Sequence, residues 1–269
     1  MRRVPLPGLL VALAAAPAAG QTRPQPQLLL TIFGGVSTGA RLWEIDRQAF
    51  ARRDDPATFD SLRLSRTLQS ALTLGASATI FPGSNLGLTA EIAYLGYDLD
   101  DGCTVIDTAS SVVNAGETQE ICADVSRQGA SAVALSFSAG LVYRVASRGF
   151  ASPYLRAQAG ITARSSSTVE MQGRFLLDNQ PQSRVVIDDP KGGAINPTAA
   201  VGLGVMIPFA RGYQARFEIR DQLVMARYAT GPAPPGALQV PPTANKLVHS
   251  VGLLFKLDIV LEQRRGRRY

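Results

Sequence analysis

The sequence has no long apolar run, and this absence excludes a helical membrane protein. Its 269 residues have a mean hydropathy of +0.07, but no segment approaches the roughly 18 to 20 apolar residues that a spanning helix needs. Histidine and cysteine are also scarce. The chain has one histidine, His249, and two cysteines, Cys103 and Cys122. The sequence contains no metal-ligand constellation, phosphate-binding loop or dinucleotide fingerprint. We therefore expect no metal and no cofactor.

A strong positive charge is also missing, which argues against a nucleic-acid partner. The formal charge is +6, and it falls to +4 when the two arginines of the predicted signal peptide are removed. The remaining basic residues are dispersed between acidic ones, whereas nucleic-acid-binding proteins concentrate them on one face. We predict a basic tail over 263–269, where the one dense cluster lies: Arg264, Arg265, Arg267 and Arg268.

The start of the chain has the three parts of a secretory signal peptide. Two arginines precede an apolar run over 9–16, and small residues follow up to Gly20. We expect cleavage near Gly20 or Gln21, so that residues 1–20 are a signal peptide and residues 21–262 form the folded domain. The residue directly after Gly20 is Gln21 and not a cysteine, and lipoprotein anchoring is therefore not expected.

Alternation of apolar and polar residues is the dominant pattern that is present. In segments such as 86–94 and 213–220, every second residue is apolar, and small, polar or charged residues lie between. Because strand side chains alternate between faces, each segment has one apolar side and one polar side. Eight strands are predicted, at 27–42, 65–81, 86–99, 130–146, 151–170, 197–209, 213–229 and 245–261.

Short and long connections alternate strictly between these strands. Tight turns such as 82–85 join pairs of strands into hairpins. The predicted long loops cover 43–64, 100–129, 171–196 and 230–244. Outer-membrane barrels combine short periplasmic turns, long extracellular loops and an even number of strands.

The pattern thus predicts an all-β fold, an antiparallel up-and-down eight-stranded transmembrane β-barrel. Its long loops would be extracellular, and its short turns and both termini, including the basic tail, would be periplasmic. Ten strands would result if the first or third loop contributed a hairpin, and segments 175–177 and 184–187 of the third loop favour a hairpin beyond the membrane.

A soluble β-sandwich is the alternative fold. Its core would need large apolar side chains from both sheets, but the predicted inner face consists mainly of small and charged residues, which suit a narrow barrel lumen. Aromatic residues near strand ends also favour a membrane barrel, because amphipathic rings prefer the headgroup zone. They are Trp43, Tyr94, Tyr97, Tyr143, Phe150, Phe209, Tyr213 and Tyr228.

In this arrangement the chain resembles the small outer-membrane barrel superfamily of OmpA- and OmpX-type proteins, in architecture rather than by any motif. The resemblance implies contact with outer-membrane lipid and insertion by the barrel-assembly machinery, which favours a last strand ending in an aromatic residue. Tyr269 is such a residue, but Arg265 and Arg267 occupy positions where that signal is apolar. The alternative is that the last strand ends within 255–261 and the tail projects into the periplasm.

Cys103 and Cys122 lie in the same polar stretch of a chain predicted to be secreted, and we interpret them as a disulfide. Closing a loop of about 20 residues contributes on the order of 3 kcal/mol to local stability. Two free thiols or a metal site are the alternatives, although no histidine lies nearby.

Charged residues are predicted to face the lumen at seven positions if the alternation is followed. They are Glu91, Arg144, Arg156, Arg216, Glu218, Arg220 and Lys256. Buried charges must pair to offset their desolvation, so we predict an internal salt-bridge network across several strands. The network would act either as a plug that fills the lumen or as a gate whose rearrangement opens a small pore.

A catalytic role is the least expected function, although small barrels of the lipid A deacylase and acyltransferase types are enzymes. A hydrolase needs a nucleophile, a base and an orienting carboxylate within hydrogen-bond reach. His249 is predicted to face outward near the membrane interface and Ser250 to face the opposite side, so we predict no catalytic residues. The expected function is a non-enzymatic envelope-structural or surface-interaction role. The alternative is a narrow pore or carrier for small or apolar solutes.

Overall fold

The computed structural model describes most of the chain between Pro26 and Glu262. The described residues are 26–39, 41–53, 55, 57–108, 115–128, 130–145, 150–165, 167–189, 191, 193–235 and 239–262. The predicted signal peptide, the turn near 147–149 and the tail that ends in Tyr269 lie outside them.

Within these residues the chain forms eleven strands and one helix. The strands are β1 (Gln27–Thr38), β2 (Arg41–Ala51), β3 (Phe59–Phe81), β4 (Leu86–Asp107), β5 (Ala130–Arg144), β6 (Ser152–Arg164), β7 (Met171–Leu177), β8 (Gln180–Ile187), β9 (Ile195–Ala210), β10 (Tyr213–Ala229) and β11 (Thr243–Glu262). The helix is α1 (Ala115–Gln128). No helix in the described part of the chain is long and apolar enough to span a membrane.

Eight of the strands close into a ring. β1 pairs with both β3 and β11, and the ring continues through β4, β5, β6, β9 and β10 back to β11. Each of these pairings is antiparallel. The predicted eight-stranded antiparallel barrel is therefore confirmed. β7 and β8 form a separate two-stranded sheet, so the hairpin in the third loop does not raise the ring to ten strands.

The outer face of the ring is apolar. Exposed and buried residues alternate strictly from Leu86 to Leu95 of β4, because successive strand side chains point to opposite faces. Large outward side chains remain uncovered: 64% of the surface of Ile32 and 62% of that of Leu253 are accessible. An apolar surface of this extent exceeds what a soluble monomer exposes and matches the lipid-facing band of a transmembrane barrel.

Four of the eight exposed aromatic rings among the described residues lie at the short-turn end. They are Tyr143, Phe150, Phe209 and Tyr213. Trp43 differs from them, because it is only 4% exposed and its Nε1 donates to the Thr168 carbonyl at 2.9 Å. The prediction that Trp43 lies in the headgroup zone is therefore wrong, since its ring packs inside the molecule.

Three of the four predicted long loops are largely regular structure. The first contains β2 and the start of β3, the second contains the end of β4 and α1, and the third contains β7 and β8. The predicted strand over 27–42 covers β1 and only the first two residues of β2. The rest of β2 was predicted as loop, because its pairing with β3 shifts register twice, after Arg41 and after Ile45, and each shift interrupts the alternation of apolar residues.

These additional elements form a cap over the long-loop end of the barrel. We define the cap as β2, residues 59–68 of β3, residues 99–107 of β4, α1, β7 and β8. Its core consists of buried apolar side chains, among them Ile45, Phe50, Leu62, Leu64, Ile121, Val125, Met171, Phe175 and Val186. A disulfide between Cys103 and Cys122 joins α1 to β4.

The β7–β8 hairpin is protected from pairing with another chain. α1 covers the outer edge of β7, where the backbone N–H groups of Arg174 and Leu176 donate to the carboxylates of Asp124 and Glu120 at 2.6 and 3.2 Å. On β8, Pro181 has no N–H group to offer. Both devices remove strand donors that would otherwise template aggregation.

Candidate functional site

The lumen carries buried charges at the level of the apolar outer band. Five of the seven predicted residues come together in one cluster, which we call the lumen network. Its members are Glu91 on β4, Arg156 on β6, Glu218 and Arg220 on β10, and Lys256 on β11. Each occupies an inward position of its strand, and none is more than 7% exposed.

The two carboxylates of the network each contact more than one cation. Glu91 accepts hydrogen bonds from Arg156 and Arg220, both at 2.6 Å. Glu218 lies 2.7 Å from Arg220 Nε and 2.9 Å from Lys256 Nζ. Because these residues come from four strands around the ring, their ion pairs cross the lumen and tie opposite walls together.

Glycines on β9 make room for the network. A Cβ at Gly202 would lie 3.2 Å from the carboxylate carbon of Glu218, and one at Gly204 would lie 2.8 Å from the ring of Tyr154. The Tyr154 hydroxyl in turn donates to Glu218 at 2.7 Å. A larger side chain at either glycine would displace the groups that position the Glu218 carboxylate.

The network carries one more cation than carboxylate. Three cationic side chains surround Glu91 and Glu218, and Arg156 Nε has no hydrogen-bond partner among the described residues. Lys256 Nζ also lacks a well-aligned hydrogen bond, but at 2.9 Å from Glu218 we treat it as an ion pair, because Coulomb attraction does not require a linear N–H. Removing one partner of a buried pair leaves an uncompensated charge, so the two carboxylates are the members that the network can least lose.

A second charged cluster lies closer to the short-turn end. Arg216 Nη2 is 2.6 Å from Asp258 and also donates to the Thr31 hydroxyl at 2.7 Å. The Gln214 amide donates to the other oxygen of Asp258 at 2.6 Å. Arg216 thus faces the lumen, but its carboxylate partner is Asp258 and not a member of the lumen network.

Arg144 does not belong to the network, contrary to the prediction. It faces inward and is 8% exposed, but its guanidinium donates to Gln27 Oε1 at 3.1 and 3.2 Å and lies 3.5 Å from the centre of the Phe81 ring. The reason is its position at the last residue of β5, next to the short-turn end, where the carboxylates of β4 and β10 are out of reach.

Apolar side chains fill the lumen on both sides of the network. The layer toward the short-turn end contains Leu29, Phe81, Val142, Tyr154 and Met206. The layer toward the long-loop end contains Phe33, Ala93, Leu95, Ala134 and Leu254. The cap lies beyond the second layer, so side chains occupy the lumen at each level.

A cavity of about 40 Å³ remains near the long-loop end, beneath the cap, and we call it the upper cavity. Leucine, valine and alanine side chains form most of its wall. Its polar lining residues are Tyr97, Arg164, Thr168 and Ser250. The cavity thus combines an apolar wall with a few polar groups, at a size far below that of a drug-sized ligand pocket.

His249 lies on the outer face, where its side chain is 62% exposed and its Nδ1 is 3.0 Å from Asp221 Oδ2. Ser250 faces inward, is 7% exposed and donates to the Thr38 carbonyl at 3.1 Å. The two neighbours therefore point to opposite sides of β11 and cannot form a serine–histidine pair. Across the described ranges, no group of three or more His, Cys, Asp and Glu side chains is placed to hold a metal ion.

The sequence analysis did not predict Asp258 or the buried ion pair of Arg66 and Asp101. Asp258 follows Lys256 at the next inward position, so the alternation did contain a signal for it. The buried pair of Arg66 and Asp101, with contacts of 2.5 and 2.6 Å, had no such signal, because Asp101 falls in a segment predicted as a loop.

The closed ring, the apolar outer band and the charged interior define a small transmembrane β-barrel whose lumen is occupied by side chains. No protein-family model matches the chain. No curated protein matches it in sequence.

Several solved structures are similar to the chain. The outer membrane protein OprG from Pseudomonas aeruginosa is 11% identical, with 89% of this chain and 97% of that chain covered and a TM-score of 0.47. AlkL, solved by solid-state NMR in lipid bilayers, is 11% identical, with 96% and 99% covered and a TM-score of 0.42. Ail of Yersinia pestis, solved with the heparin analogue sucrose octasulfate, is 9% identical, with 88% and 99% covered and a TM-score of 0.39. At these identities and TM-scores the similarity carries no argument about function.

Proposed function

We propose that the protein is a non-enzymatic barrel of the bacterial outer membrane that presents a rigid cap at the cell surface, for surface interaction or envelope support. The observation that carries this proposal is the structure of the cap. Its segments pack around an apolar core of their own, and the Cys103–Cys122 disulfide links two of them. A preorganised surface loses little conformational entropy when a partner binds. An ordered cap above a filled lumen therefore suits presentation better than transport.

The apolar outer band supports the outer-membrane location. Closed barrels are the strand-based solution to membrane crossing, because every backbone polar group is paired within the ring. In bacterial barrels of this kind the long loops are extracellular and the short turns periplasmic, which would put the cap outside the cell and both termini in the periplasm. Outer-membrane lipid and the barrel-assembly machinery remain the predicted partners.

The filled lumen argues against the narrow-pore alternative. A solute would have to displace an apolar layer, the lumen network and the second apolar layer in turn. The buried ion pairs resist such a rearrangement, since separating them leaves uncompensated charges in a poorly hydrated space. We therefore propose that the network acts as a plug and not as a gate.

We propose no catalytic role for the exposed histidine. His249 contacts Asp221 on the outer face, but the nearest hydroxyl in sequence, that of Ser250, is directed into the barrel. Acyl transfer needs a nucleophile within reach of its base, and Ser250 does not supply one.

Tag accessibility on intact cells tests the orientation and the location of the cap. An epitope inserted between Asp178 and Asn179, in the two-residue turn of the β7–β8 hairpin, should bind antibody on intact cells. The matched control places the same epitope after Ser84, in the β3–β4 turn, where binding should require permeabilised cells. If antibody binds the Ser84 insertion on intact cells and does not bind the Asp178 insertion, the orientation is the opposite one and the proposal is wrong.

Planar-bilayer recordings test the plug. The wild-type protein and a Glu218→Ala variant should both give no discrete conductance steps, because the apolar layers remain when one network member is lost. Regular steps in the wild type would favour a pore. Steps in the variant alone would show that the network is the gate.

A further inference from the structure

The upper cavity is lined by a cation that forms no salt bridge within the described part of the chain. Arg164, at the end of β6, lines this cavity, and its Nε is buried with no hydrogen-bond partner among the described residues. The nearby carboxylate of Asp189 is already bound, by Arg227 at 3.0 Å and by the Ser167 hydroxyl at 2.5 Å. Arg164 therefore differs from Arg66, whose guanidinium is paired with Asp101.

Of the other polar lining residues, Tyr97, Thr168 and Ser250, the last two have hydroxyl groups that are already hydrogen-bonded. The Thr168 hydroxyl donates to the Arg227 carbonyl at 2.6 Å, and the Ser250 hydroxyl donates to the Thr38 carbonyl at 3.1 Å. Both hydroxyl protons are thus committed to backbone acceptors. A planar guanidinium offers several donors in a fork that matches a carboxylate.

The rest of the wall determines what a ligand can carry besides its charge. Leu42, Leu68, Leu99, Val224 and Val248 are among the apolar lining residues. Methylene groups would gain free energy by leaving water for this surface. The volume of about 40 Å³ limits the ligand to a few heavy atoms, since one water already needs roughly 10–15 Å³ of such space.

We propose that the upper cavity binds a monocarboxylate of one or two carbons, such as acetate, with its carboxylate on Arg164 and its methyl group against the apolar wall. The site lies between the filled lumen and the cap, so binding does not require a conducting pore. Binding at this site is separate from the proposed surface role and does not depend on it.

Ligand-observed NMR on the full-length protein in detergent micelles tests the site. Sodium acetate is the probe, and acetamide is the neutral analogue of the same size. Acetate should bind wild type saturably, whereas acetamide should give only the signal that empty micelles give. Arg164→Gln should weaken acetate binding by about tenfold or more, because a hydrogen bond to a charged group is lost.

Two further variants separate the site from general charge and from folding. Arg63→Gln makes the same charge change in the cap, at a side chain that is 54% exposed, and should bind acetate like wild type. Ala226→Val fills the upper cavity but keeps Arg164, and it should also abolish binding. If Arg164→Gln fails to fold, the Ala226→Val variant and the acetamide comparison still decide the question.

Several outcomes would overturn the proposal. Equal binding of acetate to wild type and to a folded Arg164→Gln variant would exclude the guanidinium as the anchor. Equal binding of acetate and acetamide would show a cavity with no preference for a carboxylate. No saturable binding to wild type would leave a cavity that holds water only.

Discussion

The middle of the barrel and the cap are both buried, but they are built from opposite chemistry. On β3, the inward residues at the level of the membrane band include Thr73 and Thr79, and the outward residues include the exposed Leu72. In the cap portion of the same strand, Leu64 faces inward and is fully buried, whereas Arg63 faces outward. The polarity of one strand thus reverses along its length.

The reversal follows from the medium that surrounds each region. Hydrocarbon outside the barrel favours apolar outward side chains, so polar and charged residues are placed in the lumen. Water surrounds the cap, and its apolar side chains gain free energy by burial in the usual way. The barrel middle is therefore held by ion pairs and hydrogen bonds, and the cap is held by an apolar core and a disulfide.

Removing a network carboxylate should have the largest effect on the barrel middle. Glu218→Gln keeps the shape but leaves three cations to share the single carboxylate of Glu91 and removes the closest counter-charge of Lys256. It should destabilise the protein by about 3–5 kcal/mol. The measurement is the denaturant midpoint of the gel-mobility shift that reports the closed barrel. Asp98→Asn, at an exposed carboxylate, is the control and should stay within about 0.5 kcal/mol. Equal small effects would mean that the network contributes little to stability.

Reversing the polarity of the outer face should have the next largest effect. Leu203→Arg places a charge on the lipid side of β9 and should cost about 2–4 kcal/mol at mid-membrane depth. An inward Ser138→Thr, which adds one methyl group in the lumen, should cost little. The same gel-mobility midpoint compares the two variants, and similar losses at both positions would contradict the assignment of faces.

Loss of the disulfide should loosen the cap and spare the barrel. The double variant Cys103→Ser with Cys122→Ser opens a loop of 19 residues in sequence separation, and it should lower the stability of the cap by up to about 3 kcal/mol. Trp43 is the single tryptophan of the chain and lies buried in the cap core, so its fluorescence reports this region. Its transition should move to lower denaturant while the gel-mobility midpoint stays in place. A joint shift of both transitions would show that cap and barrel unfold as one unit.

Removing the surplus cation should have the smallest effect. Lys256→Met keeps the length of the side chain, relieves the burial of a charge and leaves Arg156 and Arg220 to balance two carboxylates. It should change stability by less than about 1.5 kcal/mol, well below Glu218→Gln in the same assay. A loss as large as that of Glu218→Gln would mean that Lys256 is needed to neutralise the network.

Strand bounds were predicted correctly where apolar and polar residues alternate regularly. They were predicted wrongly where a strand passes from the membrane-level barrel into the cap. The predicted strand over 213–229 has the bounds of β10, because both of its neighbours in the ring keep their register along most of it. β3 begins at Phe59, six residues before the predicted start, since its cap portion has a polar outer face and resembles a loop. The Cys103–Cys122 pairing was accessible from the sequence because a single pair of cysteines allows one intramolecular disulfide.

The sequence by itself determined which side chains face the lumen, because alternation between faces is a property of neighbouring residues in one strand. Only the tertiary structure decided which of them meet. Arg220 and Glu91 lie 129 residues apart in sequence, and Arg144 and Arg156 take different partners although both face inward. Contacts of this kind depend on the register in which eight strands close into a ring, and that register is set by the pairing of distant strands and not by any local pattern.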